Sequence, residues 1–257
     1  MRHLLVAIAL ISTVSTAAAQ TAEGPLTQVN PFIGTGGEGH TFPGAVAPFG
    51  MVQLSPDTDT TCVIRDCYSH AAGYRYEDPT IQGFSQTHFS GAGHSDLGDI
   101  LVMPVSGDTV ATEPGTPAQP GYRSPFTHAS EIAQPGYYAV TLDGPQVRAE
   151  LTAGTRIGVH RYTFPRGRAA HLVIDLRSSL YNYPGKVLWS GLHLWPDGTL
   201  TGFRETRGWA PGRKLYFAMR FSAPLTDHAF FNRETDVQYR GFQAPGRGSD
   251  AVSERLG

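Results

Sequence analysis

The sequence predicts an all-β protein, an antiparallel β-sandwich that carries long functional loops. Three observations predict it. Gly (30) and Pro (19) are abundant while only 16% of the residues are charged, a profile of short strands joined by turns. Helical periodicity is nearly absent. In Leu215–Phe221 every odd position is large and apolar, the period of a strand with one buried face.

Taken in order, the first residues read as an export signal. Arg2 and His3 form a basic start, Leu4–Ile11 is apolar, and Ala17, Ala18 and Ala19 make a small-residue cleavage site. The apolar run is too short to span a bilayer. Residues 1–19 are therefore set aside as a signal peptide, the location is expected to be periplasmic or secreted, and no membrane span is expected after cleavage. From 20 to 240 the chain is expected to form one β domain. Pro48–Asp57 reads as a strand leaving a Gly-rich loop and ending at a polar corner. Strands follow at Asp99–Val105, Tyr137–Leu142, Val147–Leu151, Arg156–Phe164 and His171–Leu176. Trp189–Trp195 and Thr199–Phe203 flank Pro196-Asp197-Gly198, a hairpin turn. After about Arg240 apolar alternation stops, and 241–257 is read as a linker or disordered tail.

The charges nearly balance, 20 basic against 22 acidic, so nothing steers the chain toward nucleic acid or an anionic membrane. Cys62 and Cys67 either pair across a short loop or stay as thiols, and two cysteines alone make no zinc site.

Candidate chemistry lies in the first third. Asn30–Ala45 is rich in glycine, which allows positive φ and brings backbone amides close to a ligand. No Walker lysine or helix follows, so a sugar hydroxyl or a neighbouring domain suits this loop better than a phosphate. Gly83–Asp99 holds His88, His94, Asp96 and Asp99 in a short span. These side chains could ligate a metal or supply a carboxylate pair, but residues this close in sequence more often cap turns and tie loops. Asp57 is read chiefly as a corner cap. Trp189, Trp195 and Trp209 are candidate sugar-stacking platforms; core filling is the plainer reading of the first two, and exposure that of Trp209. No Gly-x-Ser-x-Gly elbow is present, which leaves a serine hydrolase without support.

The same stretches carry a family resemblance. Val29–Gly37 with Gly39–Ala45, then Ala47–Asp57, Gly73–Tyr76, Ile81–Gly93 and Asp96–Pro104, resemble the opening signature of glycoside hydrolase family 92, closely to Met103 and more loosely to about Ser222. The resemblance implies an N-terminal β-sandwich from an exported, calcium-dependent, inverting exo-α-mannosidase that acts on mannose-terminated glycans. It implies a partner (α/α)6 barrel, normally in the same chain, that holds the general acid, the general base and most calcium ligands. Inversion needs two carboxyl groups roughly 6.5–9.5 Å apart with a water between them. The family keeps that pair in the barrel, so no catalytic residue and no metal ligand is assigned here. Gly36, Gly37, His40, His88 and Asp96 are the expected sugar contacts. The chain is expected to stop before the last sandwich strands and the barrel, to be inactive alone, and to expose an apolar patch. A stand-alone carbohydrate-binding module is the alternative. Departures from the family pattern are Gln86, where a second histidine is usual, His94, where a small or apolar residue is common, and a long, irregular 60–72 stretch.

Overall fold

The computed structural model describes residues 24–91, 96–232, 237–239 and 250–256. The proposed leader, His94 and 241–249 lie outside the described residues. In chain order the strands are β1 (Ala45–Val46), β2 (Gln53–Asp57), β3 (Thr80–Ile81), β4 (Gly83–Ser85), β5 (Leu101–Ser106), β6 (Ser124–Pro125), β7 (Ile132–Gln134), β8 (Tyr137–Leu142) and β9 (Val147–Ala153). They continue with β10 (Gly158–Thr163), β11 (Ala170–Asp175), β12 (Val187–Leu194), β13 (Leu200–Thr206), β14 (Arg213–Met219), β15 (Leu225–Asn232), β16 (Val237–Tyr239) and β17 (Asp250–Leu256). Helix among the described residues is limited to three 3-10 turns, at Pro25–Gln28, Tyr68–His70 and His128–Ser130.

The strands form an antiparallel sandwich around a central eight-stranded sheet ordered β1-β2-β4-β5-β11-β17-β15-β16. Its two faces are apolar because β5 and β11 alternate two sets of hydrophobic side chains rather than one hydrophobic and one polar set. Leu101, Met103 and Val173 turn one way and pack with Leu54, Phe84, Tyr138, Val140 and Leu151 against the four-stranded sheet β10-β9-β8-β7. Val102, Leu172 and Ile174 turn the other way and meet Leu192, Leu200 and Phe217 of the three-stranded sheet β12-β13-β14. A sheet buried on both faces reads as a continuous apolar run, which is how Leu101–Val105 looks in the sequence.

The expected strands are present, with ends displaced by a few residues. Eight strands are additional: the short β1, β3, β4, β6, β7 and β16, and the longer β15 and β17. β15 was hidden because Leu225–Asn232 mixes polar and apolar residues without clean alternation. Asp250–Leu256 falls within the segment read as a linker or disordered tail; it instead forms β17, seated between β11 and β15 with Ala170 opposite Leu256 and Leu225 opposite the same residue. Backbone pairing on both edges holds this strand, so its weak side-chain pattern was no guide. The two tryptophans read chiefly as core also differ. Trp189 of β12 and Trp195, just past its end, are both substantially exposed, while the intervening Leu192 faces the core. Trp195 Nε1 donates to Thr201 Oγ1 across the hairpin, 2.9 Å away.

Candidate functional site

The loop segments 30–44, 58–79, 86–91, 96–99 and 176–186 converge around the end of β2. Their meeting is set by hydrogen bonds between loops. Gly91 N–H donates to His40 O (2.7 Å), Asn182 N–H to Thr60 O (3.2 Å), and Leu180 N–H to Leu97 O (2.9 Å). Cys62 and Cys67 are joined as a disulfide inside the 58–79 loop, with Cα atoms 4.9 Å apart. Beyond that staple, Tyr68 stands edge-on against the His40 ring at 4.7 Å.

Under these loops lies a floor of buried charge. His88 is 1% exposed, and its Nδ1 lies 2.7 Å from Gln53 O. A carbonyl only accepts, so Nδ1 carries a proton. Nε2 sits 2.8 Å from Asp57 Oδ1 in a fully buried pair, and Phe42 covers the imidazole. Gly73, at φ +87°, is tucked against this pair; a Cβ there would meet His88 Nε2 at 2.8 Å and also collide with Asp57 Oδ1. Two residues past the end of β2, Asp59 faces Arg123 at 3.7 Å, and Gln82 joins Arg123 to Thr60. Burial pushes the Arg123 guanidinium below its ordinary pKa, with Asp59 opposing. His70 Nε2 meets Asp78 Oδ2 at 2.6 Å, again fully buried.

The glycine-rich loop is pinned from its side. Gly37 N–H donates to Glu77 Oε1 (3.0 Å), and Arg75 Nη1 donates to Gly37 O (2.6 Å). Gly36 lies so close to Glu77 that a Cβ would stand 2.7 Å from Oε1. The segment bearing Arg75 and Glu77 is itself fixed to the four-stranded sheet. Tyr74 OH donates to Glu131 at 3.1 Å, and His128 stacks face to face on Tyr76 at 3.9 Å. His40 is 8% exposed and takes φ +49°, unusual for a non-glycine residue, at the bend that meets Gly91.

Asp96 and Asp99 tie loops together. Asp99 is fully buried and accepts from Thr87 Oγ1 (2.6 Å) and from Arg213 Nη2 (2.8 Å to each oxygen); Arg204 Nε stands 3.3 Å away. Asp96 meets Lys186 Nζ at 2.9 Å and accepts from Ala210 N–H at 3.1 Å. Burial works to raise the Asp96 pKa, but Lys186 and the backbone donors outweigh it and hold the carboxyl below its ordinary value. Each buried carboxylate of this floor therefore already faces a cation or an imidazole. Among the described residues no group of three or more His, Cys, Asp or Glu could hold a metal ion.

The five residues expected to touch sugar divide in two. Gly36, Gly37 and His40 lie on the first loop, joined through Gly91 to the loop that follows His88. His88 sits beneath, with both ring nitrogens engaged, and Asp96 anchors the far limb beside Lys186. The sequence did not disclose His70, Arg75, Asp78, Arg123, Lys186, Arg204 or Arg213, which come from distant segments. Arg204 left one trace: it occupies an inward position of β13, between Gly202 and Thr206.

The family model for the N-terminal domain of glycosyl hydrolase family 92 matches residues 28–253. The chain belongs to glycoside hydrolase family 92. An α-mannosidase of this family from Bacteroides thetaiotaomicron is 39% identical and superposes with a TM-score of 0.81 over 90% of this chain. An inverting family 92 mannosidase from the same organism is 25% identical, with a TM-score of 0.68 over 90% of the chain. An uncharacterised secreted glycosidase of Arthroderma benhamiae is 28% identical over 157 residues, 61% of this chain. The chain spans 31%, 29% and 19% of the respective lengths of these relatives, so each shares with it one part of a longer protein. The matched range reaches β17, consistent with that strand belonging to the domain.

Proposed function

We propose that this chain is the pocket-shaping N-terminal domain of an exported, calcium-dependent, inverting exo-α-mannosidase acting on mannose-terminated glycans. One observation supports the division of labour most directly: Asp57, Asp59, Asp78, Asp96 and Asp99 are all compensated by basic or imidazole groups inside the domain. Asp57, Asp59, Asp78 and Asp99 are also buried, whereas inversion calls for two carboxyl groups with a water between them. The proton-transfer carboxylates are assigned to an (α/α)6 barrel domain, and so are most calcium ligands. The described residues do not themselves fit calcium, whose oxygen-rich shell needs carboxylates not already held by cations.

In this reading Gly36, Gly37 and His40 give the pocket its wall, fixed by Glu77, Arg75 and Gly91. His88 and Asp96 act from beneath, His88 by holding β2 to the 86–91 loop. Such a prepaid arrangement lowers the ordering needed when sugar binds. The test is turnover of an aryl α-mannoside with calcium present. The chain alone should give none, and adding a family 92 barrel domain should give an inverted product. Clear hydrolysis by the chain alone would refute the division of labour. Absence of any mannose-induced NMR shift in the 30–44 and 86–91 loops would refute the pocket role.

A further inference from the structure

The three-stranded sheet β12-β13-β14 sorts its large side chains by kind. Its register lines up Trp189 with Glu205 and Lys214, and Gly191 with Phe203 and Tyr216. Side chains alternate across a strand, so these rows point outward while Leu192, Leu194, Leu200 and Leu215 pack into the core. From Trp189 onward the outward positions of the three strands hold no Leu, Ile, Val or Met. The large apolar groups they carry are aromatic. Trp189 is exposed, and Tyr216 is 73% exposed.

The aromatic surface is built rather than scattered. Phe203 and Tyr216 lie with ring centroids 6.1 Å apart and planes tilted by 35°, a shallow curve. Gly191 makes room for this: a Cβ there would stand 2.8 Å from the Phe203 ring, which reaches across from the next strand. Just past β12, Trp195 Nε1 donates to the outward Thr201 Oγ1 (2.9 Å), and its ring meets His193 edge-on at 4.4 Å. Lys186, which precedes β12, holds Asp96, and Arg213, the first residue of β14, holds Asp99. The sheet is thus fixed at one end to the buried charge network.

Aromatic faces grouped in water mark a binding surface. Charge narrows the occupant. Lys214 and Glu205 are the charged side chains of the outward rows, and they stand 3.8 Å apart and offset one another. Neither an anionic nor a cationic polymer finds a complement there. A neutral sugar does, because a pyranose presents apolar C–H faces to the negative face of an aromatic ring and hydroxyls to the polar groups between the rings. Positions 189 and 195 are six residues apart, roughly 20 Å along an extended chain, longer than one sugar ring.

We propose that the outward face of β12-β13-β14 binds a chain of neutral hexopyranose sugars, with Trp189 and Tyr216 as stacking platforms. The site is non-catalytic and distinct from the pocket loops 30–44 and 86–91. It lies across the central sheet from β7–β10, the side to which Tyr74 and Tyr76 tie the pocket wall.

The experiment titrates the full chain with linear α-mannotetraose and with cellotetraose, each in excess methyl α-mannoside so that the pocket loops are already occupied. Amide NMR shifts and tryptophan fluorescence follow binding. At least one tetraose should bind and shift residues 189–195, 201–205 and 214–218. Trp189→Ala and Tyr216→Ala should each weaken that binding roughly three- to tenfold, the range of one aromatic contact, and Trp189→Phe should retain part of it. The two losses should multiply in the double variant. Because Tyr216 is exposed, Tyr216→Ala should leave Tm within about 2 °C, which separates lost binding from lost folding. Failure of both tetraoses to bind, or binding that survives the double variant, overturns the inference. So does a wild-type dimer that the double variant dissociates in sedimentation without any tetraose binding, since the face would then serve a second copy of the chain. Failure of the pocket reading shows instead as absent methyl α-mannoside shifts in 30–44 and leaves the tetraose result intact.

Discussion

Replacing Asp99 by Asn tests the charge network most sharply. Asp99 is fully buried, and two arginines depend on it: Arg204 Nε at 3.3 Å and Arg213 Nη2 at 2.8 Å. The two differ in their access to water. Arg213 is partly exposed and can hydrate, whereas Arg204 is wholly enclosed and cannot. Burial already pushes the Arg204 guanidinium below its ordinary pKa; Asp99 opposes this, while Arg213 adds to it. Removing one partner of a buried pair leaves an uncompensated charge and costs about 3–5 kcal/mol. For a domain of this size each kcal/mol lowers Tm by about 2–4 °C, so the melting point should fall by roughly 6–20 °C. Thermal and urea unfolding followed by circular dichroism measure it, and they should agree if unfolding is two-state. A companion variant separates charge from shape. Asp99→Leu combined with Arg204→Met removes both buried charges and should recover most of the loss. A single-variant cost below about 1 kcal/mol would refute the assignment of Asp99 as the counter-charge that holds Arg204 in the interior.

The other predictions are narrower. His160 accepts from Gln86 Nε2 (2.9 Å) and lies 2.7 Å from Tyr162 OH, and burial lowers its pKa from 6.5 to about 4. The unfolded chain therefore takes up this proton first; stability is complete above pH 6.5 and falls, by about 3 kcal/mol, as pH drops from 6.5 through 4, a limb that His160→Asn should flatten in urea melts across pH. Gly73→Ala should cost about 2–5 kcal/mol, adding left-handed strain to a collision with Asp57 and His88, whereas Gly37→Ala, with open space at φ +59°, should cost only about 1–2 kcal/mol. Replacing Cys62 and Cys67 by Ser should cost about 2 kcal/mol by loop entropy, and reductant should lower the Tm of the wild type but not that of the variant. Phe49, Met51, Ile157 and Val159 are exposed, and residues 49–51 lie against Thr155, so the chain alone should self-associate in sedimentation, and Phe49→Ser with Ile157→Ser should reduce that association.

Much of the scaffold was legible because its strands obey side-chain period. Tyr137–Leu142 and Leu215–Phe221 announce themselves through one packed face. β17 did not, because its place is fixed by backbone pairing with neighbours on both edges. Trp189 and Trp195 illustrate a different limit: period places them on a common face of the strand but does not say which face meets the core. For the site, the glycine and histidine motifs marked the correct loops. The partners that define their geometry were out of reach. Arg123 with Asp59, or Lys186 with Asp96, become neighbours only through tertiary folding, and no local spacing encodes such meetings.

The position of β17 has a consequence for how the molecule is made. β11 pairs on one edge with β5 and on the other with β17, which is separated from it in sequence by the whole three-stranded sheet. During synthesis from the N-terminus, β11 must wait with one edge bare until residues 250–256 have emerged. Closing so distant a pairing is slow. The nascent polypeptide thus stays open late, a state that a chaperone can recognise, and the sheet locks only when its keystone strand arrives.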